Sequence, residues 1–226
     1  MSRGCAVALL LAATVALVLR APQLDVRPLH NDEAVNATKL AALWEKGNYT
    51  YDPDEFHGPS LHYASLPFLW LSGVRDSDQI TDSTLRLAPI AFGVGLILLL
   101  ALLADGLGRT AATWAALFTA ISPAMVFYSR YFIHETLLVF FTALVLGAGW
   151  RYAQTRRLGW ALLGGAALGL MYATKETFVI AVAAIPLAQA AQGLPTQVPP
   201  SGTIKLIHAH PHAGLLIPGH GAGNHP

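Results

Sequence analysis

Charge is what this sequence has least of. Only 12% of its 226 residues are Asp, Glu, Lys or Arg, about half the rough quarter of an ordinary soluble domain. A chain so short of charge cannot cover a water-facing surface. With 54% hydrophobic residues and a mean hydropathy of +0.48, much of it must have lipid as its solvent. Cysteine is nearly absent too. Cys5 alone, inside the first apolar run, excludes an internal disulfide and a thiolate metal cluster and leaves the redox compartment undecided. The net charge of +1 removes any electrostatic case for nucleic acid as a partner.

What the chain does have is apolar length. Six mostly apolar stretches carry no Asp, Glu, Lys or Arg: residues 5–19, 87–104, 111–129, 136–150, 158–174 and 177–204, the last apolar only to about Ala191. Several fall short of the roughly 20 residues that cross a hydrocarbon core. Flanking Arg20, Arg151 and Tyr152 can snorkel or anchor at the interface and lengthen the span. The expectation is an all-α, polytopic integral membrane protein of about six transmembrane helices. Arg3 with the first run also fits a secretory signal peptide, but no clean small-x-small site precedes the polar loop. With the N-terminus cytoplasmic, the inner loops hold Arg3, Arg109, Arg151, Arg156 and Arg157, and the short outer loops hold Arg130 and Lys175. That bias obeys the positive-inside rule and predicts a multi-pass cell-membrane protein.

Four regions follow: a first helix in residues 1–24, a large extracytoplasmic loop over 25–86, further helices over 87–191, and a Pro/Gly/His-rich tail over 192–226. Within the loop, residues 32–46 read as a helix capped by Asn31 or Asp32 and ended by Gly47, with Glu33 favouring its N-terminal dipole. Its apolar stripe of Val35, Leu40, Leu43 and Trp44 suits the membrane surface. Residues 61–73 are apolar but short, as an interfacial helix would be. Gly165 and Gly169, four apart, are expected to let their helix pack closely on a neighbour. In the tail, His208, His210, His212, His220 and His225 have no scaffold to fix metal geometry.

Helix parity puts the loops 25–86, 130–135 and 175–176 on one side of the membrane. Asp32, Glu33, Glu55, His57, His62, His134, Glu135, Lys175 and Glu176 all fall there. Carboxylates, imidazoles and an ammonium at one membrane face suit an anionic substrate and a divalent cation. Each has a plainer reading: Asp32 and Glu33 as helix caps, the Gly58-Pro59 segment as a turn, Lys175-Glu176 as an interhelix loop. Glu135 is the hardest to dismiss, because charge beside an unbroken apolar helix costs a few kcal/mol unless paired or hydrated.

Five ordered motifs sharpen this: Arg27-Pro-Leu-His-Asn-Asp-Glu-Ala34, Tyr51-Asp-Pro-Asp-Glu-Phe-His-Gly-Pro59, Arg86-Leu-Ala-Pro89, Ser129-Arg-Tyr-Phe-Ile-His-Glu135 and Gly169-Leu-Met-Tyr-Ala-Thr-Lys175. Together they resemble the polytopic glycosyltransferases of the C-type fold (GT-C), which include protein O-mannosyltransferases and the aminoarabinose transferase of lipid A. The closest likeness is to the archaeal and bacterial branch named for flippase activity in protein glycosylation, over roughly residues 20–186. The resemblance implies transfer of a sugar from a polyprenyl-phosphate donor to an acceptor on the non-cytoplasmic side. It implies Asp32 as catalytic base with Glu33 beside it, and His57 and Lys175 at the donor phosphate. Glu55, His134 and Glu135 form a second acidic and polar group, and Asp32 and Glu135 would hold a divalent cation, Mg or Mn. The implied partners are the lipid-linked sugar, the bilayer and other membrane proteins of a glycosylation pathway. Such proteins are usually longer, so a truncated or frameshifted copy is expected, with out-of-frame apolar codons beyond Gln192. The alternatives are a non-catalytic component that assists lipid-linked sugar flipping, and an inactive copy.

Overall fold

The computed structural model describes residues 2–54 and 57–193. Glu55 and the histidine-rich tail lie outside them. Contacts divide the chain into a unit over Met1–Pro186 and another over Leu187–Pro226, and everything below concerns the first. Among the described residues the fold is all-helical, with nine α-helices, a short 3₁₀ turn at Ser77–Gln79 and no β-strand. The helices are α1 (Arg3–Arg20), α2 (Asn31–Lys46), α3 (Ser60–Leu71), α4 (Asp82–Leu107) and α5 (Arg109–Ile121). They continue with α6 (Pro123–Ser129), α7 (Glu135–Thr155), α8 (Leu158–Tyr172) and α9 (Phe178–Gly193).

Three helices, α1, α4 and α7, are long and apolar enough to cross a membrane. At 1.5 Å per residue α4 extends about 39 Å, more than the hydrocarbon thickness of about 30 Å. The third apolar run, expected as one span, is instead the pair α5 and α6, bent by 61°. Pro123 is the cause: it has no N–H to continue α5, and the Ser122 hydroxyl starts a new helix by accepting from the Met125 amide at 3.5 Å. Counting that pair as one span gives four. The fifth and sixth runs form α8, of 15 residues, and α9, both in the shorter apolar class.

Helix α1 lays a small-residue face, Ala12, Ala13 and Ala16 with Cys5 and Leu9, against Ala112, Ala116 and Ala120 of α5. Its packed face is part of the core. Arg20, expected to snorkel, is fully buried and donates to the carbonyls of Ala16 (3.1 Å), Ala120 (2.8 Å) and Thr119 (3.0 Å). The last turn of α5 leaves the Thr119 and Ala120 carbonyls without partners in that helix, and the guanidinium supplies the missing donors. The glycine expectation also moves. A Cβ on Gly165 or Gly169 would meet open space, whereas one on Gly147 would lie 2.9 Å from Leu102 and one on Gly95 2.9 Å from Phe140. The close approach is between α4 and α7.

The second core joins α2, α3, α4, α7 and α8 through Leu40, Leu43, Leu61, Leu69, Leu85, Phe132, Leu137 and Met171. Helix α2 ends as expected, at Gly47 with φ of 73°. It starts one residue earlier than expected. His30, and not Asn31 or Asp32, is the N-cap, and its amide donates to the Glu33 carboxylate at 3.2 Å. The face α2 buries is Glu33, Asn36, Leu40 and Leu43. Half of it is polar.

Candidate active site

Glu33 organises the site without lining it. Its carboxylate is fully buried and accepts from five donors. Arg86 gives two (Nε 2.9 Å, Nη2 3.0 Å), Arg27 one (Nη2 3.0 Å), and the amides of Phe132 (2.9 Å) and His30 (3.2 Å) the others. Burial alone pushes its pKa up. The Arg86 hydrogen bonds, the two amides and the Arg86 charge outweigh that and hold it below the ordinary carboxylate value. Arg86 also donates to the carbonyls of Leu24 and Arg27. One buried ion pair thereby ties the segment after α1, the start of α2, the start of α4 and the segment before α7.

Asn36, one turn on from Glu33, donates to the Phe132 carbonyl at 3.0 Å. Both backbone polar groups of Phe132 are thus held by one face of α2, and its side chain is buried in the core beneath. Successive helical residues point about 100° apart. With Glu33 turned inward, Asp32 faces outward, exposed.

Asp32 lines a cleft of about 290 Å³ together with Lys39, Tyr49, Asp54, His57, His62, Ile133, Glu135 and Lys175, close to the lower end of ligand-site sizes. Of the residues singled out from the sequence, Asp32, His57, His62, Glu135 and Lys175 meet here. Glu33 does not; its role is to place Asp32 and Phe132. Lys175 Nζ sits 2.6 Å from the Glu135 carboxylate, which answers the cost of an acid at the mouth of an apolar helix.

A backbone strap closes one wall. His57 and Lys175 form an antiparallel bridge, flanked by Gly58 N–H to the Thr174 carbonyl at 3.2 Å and Ser60 N–H to the Ala173 carbonyl at 3.1 Å. The Ser60 hydroxyl donates to Thr174 Oγ1 at 2.7 Å. Only glycine fits at 58, because a Cβ there would lie 2.5 Å from the Ala173 carbonyl carbon and closer still to its oxygen. Tyr49 donates to the His57 carbonyl at 3.1 Å, and the His57 ring lies 3.5 Å from the Glu176 carboxylate.

Three imidazoles back the strap. The ring centroids of His57 and His134 are 4.8 Å apart, and those of His62 and His134 5.7 Å. His134 Nε2 is 3.1 Å from the Gly58 carbonyl, and since a carbonyl only accepts, that nitrogen carries the proton. Burial, then the charge of Lys39, lowers the His62 pKa to about 4. Burial, then the neighbouring imidazoles, lowers His134 well below its usual range. His134 therefore supports the strap from beneath as a neutral group. The three rings do not converge on a point, and among the described residues no group of three or more His, Cys, Asp or Glu is arranged to hold a metal. Asp32 and Glu135 belong to no such group, and Oε1 of Glu135 is engaged by Lys175.

Arg27, Arg86, Asn36 and Phe132 are the site-building residues to which the sequence reading assigned no role. The signal available was an arginine or asparagine in a helix otherwise destined for burial.

The sequence model of the dolichyl-phosphate-mannose-protein mannosyltransferase family matches residues 78–198, just over half of the chain. The chain belongs to this family. The match takes in Arg86, His134, Glu135 and Lys175; Asp32, Glu33 and His57 precede it. No curated protein and no solved structure matches the chain. Membership, with apolar helices of spanning length, makes this a membrane protein of the mannosyltransferase type.

Proposed function

We propose that the chain transfers a sugar from a polyprenyl-phosphate donor to an acceptor hydroxyl on the non-cytoplasmic side, in the cleft bounded by Asp32 and Lys175. The observation that carries this reading is the cleft itself: an exposed carboxylate and a lysine far apart in sequence share one wall-to-wall space in a mannosyltransferase-family chain. Asp32 removes the acceptor proton as the acceptor oxygen attacks the anomeric carbon. The bond from that carbon to the phosphate oxygen breaks, and the electron pair leaves with the polyprenyl phosphate. The Lys175 ammonium offsets the charge gathering there. Glu135 holds Nζ in place before the donor arrives, and the backbone bridge fixes His57 beside it.

Asp32→Asn tests the reading. With the full chain in membranes and a polyprenyl-phosphate sugar, transfer should fall by at least about 100-fold, the lower range for loss of a general base, while the protein stays folded because Asp32 is exposed. Retained transfer would favour the non-catalytic, assisting role.

A further inference from the structure

A second cleft, of about 530 Å³, shares no lining residue with the acidic one. It opens where the bend between α5 and α6 carries α6 away from the end of α1. One wall is apolar: Leu19 and Leu24 from the α1 side, and Ile121, Val126 and Phe127 from the bent pair. Arg27, Arg86 and Arg130 make the rest of the lining cationic, with Arg27 lying over the Phe127 ring 5.3 Å from its centroid, and no acidic side chain lines the cavity. Buried Glu33 is paired with both Arg27 and Arg86, and exposed Asp25 lies in the same segment, next to Leu24. Three lining guanidiniums against these two carboxylates leave an excess of positive charge.

The arginines have structural duties, but these do not use them up. Arg86 is committed to Glu33 and to two carbonyls. Arg130 gives Nη2 to the carbonyls of Pro22 (2.8 Å) and Gln23 (3.0 Å), capping the chain as it leaves α1. Arg27 gives Nη2 to Glu33 and to the Arg130 carbonyl, and its planar face lies over Tyr131, 4.5 Å from the ring centroid. Nε and Nη1 of both Arg27 and Arg130 donate to no described residue. A guanidinium with a stacked face and an unengaged edge is suited to a phosphate oxygen pair.

The apolar wall decides the kind of phosphate. Leu19, Ile121 and Phe127 are 41%, 47% and 50% exposed, and Val15, Val18 and Phe118 near them on α1 and α5 are exposed apolar side chains too. Inorganic phosphate would leave this wall wet. A phospholipid matches both walls in order, head group on the arginines and acyl chain along α1 and α5. A zwitterionic head group would bring its own cation against the excess positive charge.

We propose that this cleft binds the head group and upper acyl chain of an anionic membrane phospholipid. The site stands apart from the sugar-transfer cleft and does not rest on the reading given for it. A bound lipid would join α1 to α6 across the bend, stiffening the segment from which Arg27 reaches Glu33.

The test uses the full chain, purified in detergent, stripped of lipid and titrated with phosphatidylglycerol, phosphatidylcholine or inorganic phosphate. Bound lipid is counted by native mass spectrometry. One phosphatidylglycerol should be retained, with phosphatidylcholine weaker by about tenfold or more, as loss of one charge-assisted contact implies. Arg130→Gln should weaken phosphatidylglycerol about tenfold. Val126→Trp, which intrudes into the apolar part of the cavity and keeps every arginine, should weaken retention about tenfold or more. Should either variant fail to fold, a photoactivatable phosphatidylglycerol on the wild-type chain decides, and labelling should fall within residues 19–27 and 121–130. Equal retention of the two lipids, full competition by inorganic phosphate, unchanged retention in Val126→Trp, or labelling confined to other segments would each overturn the proposal.

Discussion

Replacing Glu33 by Gln separates a residue that builds the site from one that works in it. Glutamine keeps the shape but carries one carbonyl oxygen and one NH₂. Glu33 Oε1 accepts from Arg86 Nε and the Phe132 amide; Oε2 accepts from Arg86 Nη2, Arg27 Nη2 and the His30 amide. Whichever way the amide is turned, two or three donors face another donor, and buried Arg86 loses its counter-charge. Breaking a buried pair from one side costs about 3–5 kcal/mol, a large part of the 5–15 kcal/mol that typically holds a domain together. Reversible unfolding of the full chain in detergent should show a loss of that size, against less than about 0.5 kcal/mol for Asp32→Asn at its exposed position. Glu33→Leu combined with Arg86→Met, which removes the buried pair but leaves the Phe132 and His30 amides without their acceptor, should recover only part of the loss. If Glu33→Gln instead unfolds like the wild type while sugar transfer disappears, Glu33 belongs to the chemistry and the structural role argued here is wrong.

Gly58→Ala should break the strap, because the new methyl meets Ala173 backbone that has no side-chain freedom to yield. The amides of Gly58 and Ser60 should then exchange hydrogen faster while those of α4 do not, and persistence of their protection would refute the steric argument. The buried imidazoles predict acid sensitivity of definite sign. His62 has a folded-state pKa near 4 against an ordinary 6.5, so the unfolded chain takes up this proton first. Its contribution is complete above about pH 6.5 and declines by about 3 kcal/mol as pH falls toward 4. His134 shifts the same way. His62→Leu should flatten the pH profile of unfolding over this window, and an unchanged slope would remove His62 as its source. Glu33 acts lower, with its contribution present above about pH 4.5 and lost below that as its depressed folded-state pKa is reached.

How far the sequence carried the argument differs from element to element. Helix α4 was readable in its middle, where the uncharged apolar run 87–104 admits one outcome, while its first turns, from Asp82 to Arg86 behind the Thr81 cap, were read as loop. The end of α2 was readable because Gly47 supplies the left-handed residue that stops a helix. The bend at Ser122–Pro123 was overlooked, although proline inside an apolar run is the signal for it. Glu33 lies away from the cleft for a reason the sequence does not show. Beside Asp32 in one motif it looks like a second acid of the same kind, and only the direction of α2 against Phe132 and Arg86 tells an inward carboxylate from an outward one.

By itself the sequence determined the solvent, the helical class and the candidates for chemistry, since these follow from composition, periodicity and residue type. The tertiary structure alone decided which candidates meet. Asp32, His57, Glu135 and Lys175 share a cleft because α2 turns its polar face onto the backbone of Phe132 and a glycine lets residue 57 lie against residue 175. Those are contacts between segments 96 to 118 residues apart, and no local pattern encodes the distance between them.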